Sequence, residues 1–453
     1  MNECPVKKNE DYVISIDNMG SSGEGVGRVD GFTVFVPGAI KGEKVKIKIV
    51  KVNKNFAFGK LIKIVEQSGE RVDCQCSVFK RCGGCQLQYL SYKGQLEYKK
   101  QKVKDDIERI SRLNVPVYDT IPMDNPYEYR NKVQLPVRRK DGKSILGFFA
   151  ERSHDIIEMN DCIIENKKSK LAADVVKTWI EKYNIEPYDE KSSTGVLRHL
   201  MIRTAFKTGE VMVVLVTNGV NLPYKNEIIQ ELSKKIDGIK SIIQNINDRK
   251  GNTVLGKKNI TLWGRSYIED SIGSLKFDIS PLSFFQVNPV QTEVLYKKVI
   301  EYCSFSGDEV VFDAYCGIGT ISLFVSRYVK MVYGVEIVSE AIINAKENAK
   351  ENNIDNVKFI TGKSEEVIPD LISKGVKADI VIVDPPRKGC AKELIEEVSK
   401  MRPKEVIYVS CNPATLARDL KIFDGLGYKT CFAQPVDMFP QTYHVETIVK
   451  ITK

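Results

Sequence analysis

Cys411 stands in SCNP directly after the apolar run VIYVS, and Glu446 stands in YHVET on the last such run of the chain. A thiol in the loop behind a strand suits covalent catalysis, although a lone cysteine reads equally well as a small buried hydrophobe. The second acid tips that balance, because the loop DMFPQTYH is long enough to return Glu446 to the same sheet edge. DAYCGIGT supplies Gly317 and Gly319 between a strand and a helix, where the backbone can turn sharply and approach a ligand. Glu336 follows Asp313 by 23 residues at the end of the next strand, where a carboxylate can accept from ribose hydroxyls. Two glycines are fewer than a dinucleotide fingerprint needs, so an adenosyl ligand without pyrophosphate, S-adenosylmethionine, is the expected cofactor. The alternative is a plain glycine turn with a surface glutamate. Asp384 ends VIV and is followed by Pro385, Pro386 and Arg387, a rigid stop that presents the acid beside the cofactor.

Together these parts suit methylation of a poorly nucleophilic pyrimidine carbon. Uracil C5 cannot attack a sulfonium methyl unaided. A thiolate adding at C6 pushes electron density onto C5, which takes the methyl group, and a base then removes the C5 proton. An ordinary thiol, with a pKa of ~8.5, is only a few per cent ionised at pH 7, so local activation is expected.

The elements that must position these residues begin at Glu309. EVVFDAYCG, MVYGVEIV, VKFITG, ADIVIVDPP and EVIYVSCNP are apolar β-branched runs, each followed by a helix-compatible stretch, and HVETIVKI closes the series. Repeated βα units predict a parallel sheet covered by helices, with its site at the carboxyl ends of the strands. Asp313, Glu336, Asp384 and Cys411 all fall at such ends.

Upstream, Val45, Ile47 and Ile49 alternate with Lys44, Lys46 and Lys48 among glycine turns, which predicts a small basic β-barrel. Its lysines suit phosphates or plain solvation equally. A cysteine-rich knot spans Val72 to Gln88, then Leu96, Val103, Ile107 and Ile110 mark a helical apolar stripe ending near Pro116. The stretch from Tyr127 to about Ser280 is mostly strand-like. It contains a hairpin turning at Asp141-Gly142, whose cluster Arg130, Lys132, Arg138, Arg139, Lys140 and Lys143 meets only Asp141 as a local counter-charge. That cluster could track an RNA backbone or form a solvated hairpin tip.

The chain has 453 residues, 42% hydrophobic and 28% charged, which fits about three domains and excludes a largely disordered protein. Its 68 basic and 59 acidic residues give +9, a modest bias toward an anionic partner. No uncharged run reaches the ~18 residues of a membrane span, and MNECPVKKNEDY lacks a signal-like apolar stretch, so a cytoplasmic protein without membrane contact is expected. Eleven cysteines in such a chain argue for metal binding, nucleophilic chemistry or burial over disulfides.

On these motifs the chain resembles the bacterial RNA uracil-C5 methyltransferases, in the branch acting on 23S ribosomal RNA that carries an iron-sulfur cluster. The resemblance covers nearly the whole length. It implies a multidomain α/β protein: an OB-like TRAM barrel binding RNA over 1–66, a mostly β central domain over 67–90 and 117–280, and a Rossmann-like class I methyltransferase domain over 91–116 and 281–453. It implies that Cys76, Cys82, Cys85 and the distant Cys162 hold a [4Fe-4S] cluster, with Cys74 of CQC set aside because the five-residue gap favours Cys76. Spacing alone puts zinc first for four cysteines; only the resemblance favours iron. FFQVN, DAYCGIG, VEIV and DPPR align Gln286, Tyr315, Glu336 and Asp384 with the family's S-adenosylmethionine contacts, and SCNP and HVE supply its nucleophile Cys411 and base Glu446. The tRNA-directed branch generally lacks barrel and knot, so the implied partner is 23S RNA or a precursor of the large subunit, bound by a monomer. The rival readings are a cytosine-C5 or tRNA methyltransferase and a non-catalytic iron-sulfur RNA-binding or redox-sensing protein.

Overall fold

The computed structural model describes residues 4–453 apart from 152, 154 and 160. Alternation builds the first unit: β1 (Asp11–Met19), β2 (Gly25–Val29), β3 (Phe32–Val36), β4 (Lys44–Val52) and β5 (Phe56–Glu66) close into a barrel in the order β1-β2-β3-β5-β4. Val45, Ile47 and Ile49 fill its core with Val34, Val36 and Ala57. The lysines between them face outward, where Lys44 pairs with Glu66, and Lys46 and Lys48 share Asp11.

Segment 67–90 carries the cysteine knot and leads through the Ser91 cap into α1 (Tyr92–Asp106), which widens into a π-helical turn at Ile107–Ser111. The helix departs from the simple stripe. Val103 and Ile107 are buried, Ile110 is exposed, and Tyr98, Gln95 and Lys99 are buried instead. Polar side chains can occupy that face because distant groups satisfy them. Lys99 pairs with Asp437, and Gln95 bonds Gln441.

The central sheet consists of β6 (Lys132–Lys140), β7 (Lys143–Phe149), β8 (Ile156–Glu158), β9 (Leu197–Thr204), β10 (Val211–Thr217), β11 (Ile239–Ile246) and β12 (Lys258–Gly264), in the order β12-β11-β10-β9-β6-β7-β8. Helices α2 (Lys167–Lys182) and α3 (Lys225–Lys235) share one core with this sheet. The β6–β7 hairpin turns where expected, with Asp141 and Gly142 both at positive φ, 49° and 77°. Its basic cluster has more counter-charge than the local sequence shows: Arg138 pairs with Glu190, Arg139 with Glu186 and Arg130 with Glu165. These partners lie far along the chain, so local reading misses them.

A small hairpin, β13 (Ile268–Ile272) and β14 (Leu275–Ile279), packs with α4 (Pro289–Tyr302) against the last sheet. That sheet contains β15 (Val310–Asp313), β16 (Met331–Glu336), β17 (Val357–Thr361), β18 (Ile380–Val383), β19 (Glu405–Ser410), β20 (Lys429–Val436) and β21 (Glu446–Thr452), in the order β17-β16-β15-β18-β19-β21-β20. The helices between strands are α5 (Thr320–Val325), α6 (Ser339–Glu351), α7 (Ser364–Ser373), α8 (Lys392–Met401) and α9 (Pro413–Gly425). The five βα strands are parallel, but β21 runs antiparallel beside β19 and pairs with β20, a strand the apolar-run reading passed over. Lys429–Val436 alternates exposed and half-buried residues along its first half, so its composition is too mixed to stand out. Two cores cover the two faces of this sheet, and α1 with its π-helical turn joins one of them through Val103 and Ile107. Among the described residues no helix is long and apolar enough to cross a membrane.

Candidate active site

The carboxyl ends of the parallel strands gather the predicted residues. Asp313 closes β15, Glu336 closes β16, Asp384 follows β18, and Cys411 follows β19. Glu446 opens β21, and the antiparallel register that sets Ser410 opposite Thr447 makes Cys411 and Glu446 the next facing positions. A one-residue slip in this register would turn Glu446 to the other face.

Local chemistry holds the Cys411 loop rigid. Asn412 caps α9, its side chain accepting from the Ala414 N–H at 3.2 Å, and Pro413 starts the helix with φ already set. The Asn412 amide donates to the Arg387 carbonyl at 3.0 Å, tying this loop to the Asp384 loop. Asp419 on α9 accepts from the Cys390 N–H at 2.8 Å and from the Tyr408 hydroxyl at 2.6 Å. Gly389, at φ +78°, sits where an added Cβ would lie 2.5 Å from the Asp419 carboxylate, so only glycine fits that close approach.

The electrostatics are those of an acid cluster with one nearby cation. Burial, then the charge of Asp384, pushes Glu446 well above the usual carboxylate range, while Arg387 opposes the shift. Burial and Asp313 raise Asp384 to about 7. Burial raises Asp313 to about 6, although the Ser322 hydroxyl donates to it at 2.6 Å. Burial, Glu446 and Asp384 push the Cys411 thiol up to about 11, with Arg387 pulling it down. The field therefore shifts each acid toward its protonated form and Cys411 toward the thiol, and a positive charge entering the site would oppose both shifts.

Three further residues are candidates to hold the cofactor. Glu336, Tyr315 and Gln286 are half-buried, hence reachable by a ligand. Glu336 accepts from the Val338 N–H at 2.9 Å, which orients its carboxylate beyond the strand. Gln286 lies on a segment whose carbonyls at 286 and 287 bond Asn131. Gly317, at φ +54°, would place a Cβ in open space, and buried Asp313 keeps one carboxylate oxygen without a protein partner. Both features fit an absent polar ligand at the head of β15.

Cys76, Cys82 and Cys85 interact electrostatically with one another, and Cys85 with Cys162. None of the four is in a disulfide. Their donor set is all sulfur, the chemistry of an iron-sulfur or zinc site. Among the described residues, however, no three His, Cys, Asp or Glu side chains stand together closely enough to hold a metal ion.

Sequence reading missed the influence of Arg387 on both Cys411 and Glu446, and it missed His444. The His444 ring packs on Tyr443 at 4.3 Å, and burial and nearby cations press its pKa down to about 4. Arg387 was visible in DPPR, but nothing local shows that its charge reaches the last strand.

Residues 91–453 match the model of the tRNA (uracil-5-)-methyltransferase family, and residues 5–62 match the TRAM domain. An uncharacterized RNA methyltransferase of Clostridium tetani is 57% identical over 450 residues, covering 99% of this chain and 98% of its own. Another from Caldanaerobacter subterraneus is 51% identical over 448 residues, covering 99% of each. Among solved structures, the Pyrococcus abyssi tRNA (uracil-54, C5)-methyltransferase in complex with S-adenosyl-L-homocysteine superposes with a TM-score of 0.78 at 29% identity, covering 97% of this chain and 100% of that one. With the acid cluster and the thiol at the strand ends, these likenesses show that the chain is a TRAM-bearing member of the tRNA (uracil-5-)-methyltransferase family.

Proposed function

We propose that this protein methylates C5 of a uridine in 23S ribosomal RNA, through a covalent bond from Cys411 to C6. The observation that carries the mechanism is the facing of Cys411 and Glu446 at the ends of β19 and β21, with Asp384 just past the end of the adjoining β18. Bound S-adenosylmethionine supplies an electrophilic methyl group on a positively charged sulfur. Gln286, Tyr315, Glu336 and Asp384 are the residues to hold it. Cys411 adds to C6 as its thiolate, the C5–C6 π electrons move to C5, and C5 takes the methyl group as the sulfur–methyl bond breaks and its electron pair stays with the donor's sulfur, which becomes a neutral thioether. Glu446 then accepts the C5 proton, the electrons of that C–H bond reform C5=C6, and Cys411 leaves as thiolate. Glu446 must be ionised for its step, and a cation near Asp384 favours that state.

Cys76, Cys82, Cys85 and Cys162 are proposed to hold a [4Fe-4S] cluster, supported by their all-sulfur donor set and by the electrostatic interaction of Cys85 with each of the other three. No step of the reaction runs through it. The cysteine-rich segment beside a uracil-5 methyltransferase unit supports the ribosomal target. The second reading, a tRNA substrate, is favoured by the Pyrococcus neighbour, whose alignment over 97% of this chain takes in most of the barrel. Barrel presence therefore does not separate the two targets.

Mapping 5-methyluridine in 23S RNA and in tRNA, from cells with and without the gene, decides between them. Loss in 23S RNA alone supports the first reading, and loss in tRNA alone overturns it. Cys411→Ala should abolish methylation while S-adenosylmethionine still binds. Glu446→Gln should methylate and then stall, leaving labelled RNA attached to the protein on a denaturing gel; rapid release removes Glu446 as the base.

A further inference from the structure

The connection 437–445 between β20 and β21 delivers Glu446 to Cys411, and one residue in it is held in an unfavourable backbone conformation. Gln441 has φ +70° and is 3% exposed. A residue with a Cβ disfavours the left-handed region, and it stays there only when its surroundings over-determine it. They do so here. The Gln441 side-chain oxygen accepts from the Gln95 amide at 3.0 Å, and its N–H donates to the Gln95 side-chain oxygen at 2.9 Å. Its carbonyl accepts from both the Gln86 and Leu87 N–H groups at 3.0 Å. Gln95, 1% exposed, also donates to the Leu90 carbonyl at 3.0 Å, so α1 and the segment behind Cys85 grip the loop together.

The rest of the loop is also tied down: Lys99 pairs with Asp437, and the Tyr129 hydroxyl donates to the Pro440 carbonyl at 3.0 Å. Lys99 donates to the Phe439 carbonyl at 2.9 Å and Lys102 to the Tyr443 carbonyl at 3.0 Å. Only Gln441 exchanges bonds in both directions with a side chain 346 positions away. A position that merely filled the core would be apolar, because each buried amide group costs free energy unless it is matched.

We propose that Gln441 is a positioning residue for removal of the C5 proton. The bond from the Gln95 amide to the Gln441 side-chain oxygen, the bond from the Gln441 main-chain N–H to Gln95, and the bonds its carbonyl accepts from Gln86 and Leu87 set the course of the loop, so that the Glu446 carboxyl stands against the Cys411 adduct. The proposal rests on the roles given above to Cys411 and Glu446. A misplacement of about 1 Å at a reacting group costs on the order of 100-fold, so loosening this grip slows the last step without touching the methyl donor.

The test is a single-turnover reaction with methyl-labelled S-adenosylmethionine and total RNA from a strain lacking the gene. A denaturing gel separates RNA bound to protein from released RNA, and thermal unfolding checks that each variant is folded. Gln441→Ala should methylate at near the normal rate and release RNA about 10- to 100-fold more slowly. Gln441→Gly, which adopts φ +70° freely, should show the same slow release because it too lacks the amide. Gln95→Ala with Gln441→Ala should be no slower than Gln95→Ala alone, since Gln95→Ala already removes both bonds between the two residues. Normal release in a folded Gln441→Ala protein, equal loss of methylation and release, or recovery in Gln441→Gly would overturn the proposal. Glu446→Gln runs alongside: if it releases rapidly, the assigned base is at fault; if it stalls while the Gln441 variants release normally, the positioning role is at fault.

Discussion

Replacing Lys99 with Met should destabilise the protein in a pH-dependent way. Lys99 and Asp437 form an ion pair with both side chains at 0% exposure, and Lys99 also donates to the Phe439 carbonyl. Methionine keeps the stem and the helix propensity but leaves the Asp437 carboxyl buried without its cation. A buried carboxyl in that position escapes by taking a proton. Against an ordinary Asp value near 3.9, holding the proton at pH 7 costs about 1.4 kcal/mol per pH unit, up to about 4 kcal/mol in all. Loss of one partner of a buried pair costs a similar ~3–5 kcal/mol. A group whose folded-state value is raised in this way destabilises the fold above its unfolded value, and the cost fades as pH falls. The deficit of Lys99→Met should therefore shrink to about 1.5 kcal/mol at pH 5. Urea unfolding followed by circular dichroism at pH 5, 6 and 7 measures this. At an m-value of about 2.5 kcal/mol/M, the midpoint at pH 7 should fall by about 1.5 M. Asp437→Asn added to Lys99→Met should recover most of the loss at pH 7. A deficit below about 1 kcal/mol, or one independent of pH, would show that the pair is not the isolated buried contact described here.

Gly319→Ala should lower thermal stability more than Gly317→Ala, because at φ +83° its Cβ would meet the Phe359 ring at 2.7 Å. Backbone strain alone is worth about 1–2 kcal/mol at either site. Gly317→Ala, whose Cβ enters open space, should instead weaken S-adenosylmethionine binding in calorimetry; unchanged affinity would count against a cofactor there. Alkylation of Cys411 by iodoacetamide should rise about tenfold per pH unit between pH 7 and 9, since its thiol lies at about 11; a plateau in that range would show a stronger activating group. Anaerobically purified protein should be brown and should lose its colour when Cys76, Cys82, Cys85 or Cys162 becomes Ser, but not when Cys74 does. A colourless anaerobic preparation with stoichiometric zinc would reverse the metal assignment.

How much of this was legible in the chain depends on the range of each interaction. Val45, Ile47 and Ile49 alternate with lysines because a strand has a period of two, and that pattern already separates the barrel's core from its surface. The apolar runs ending at Asp313, Glu336, Val383 and Ser410 place Asp313, Glu336, Asp384 and Cys411 on one edge, because a parallel βα sheet sends all its carboxyl ends the same way. Asp141-Gly142 makes its turn from two residues alone. What local pattern cannot state is which distant segment lies opposite. Barrel closure needs β3 to pair in parallel with β5, and Cys411 meets Glu446 only through the β19–β21 register. The buried Lys99 and Gln95 look like surface residues of a polar helix until Asp437 and Gln441, more than 300 positions away, satisfy them. Periodicity is written into each segment by backbone geometry. Partnership between segments is decided only when the folded chain brings a donor to each buried acceptor and a counter-charge to each buried ion.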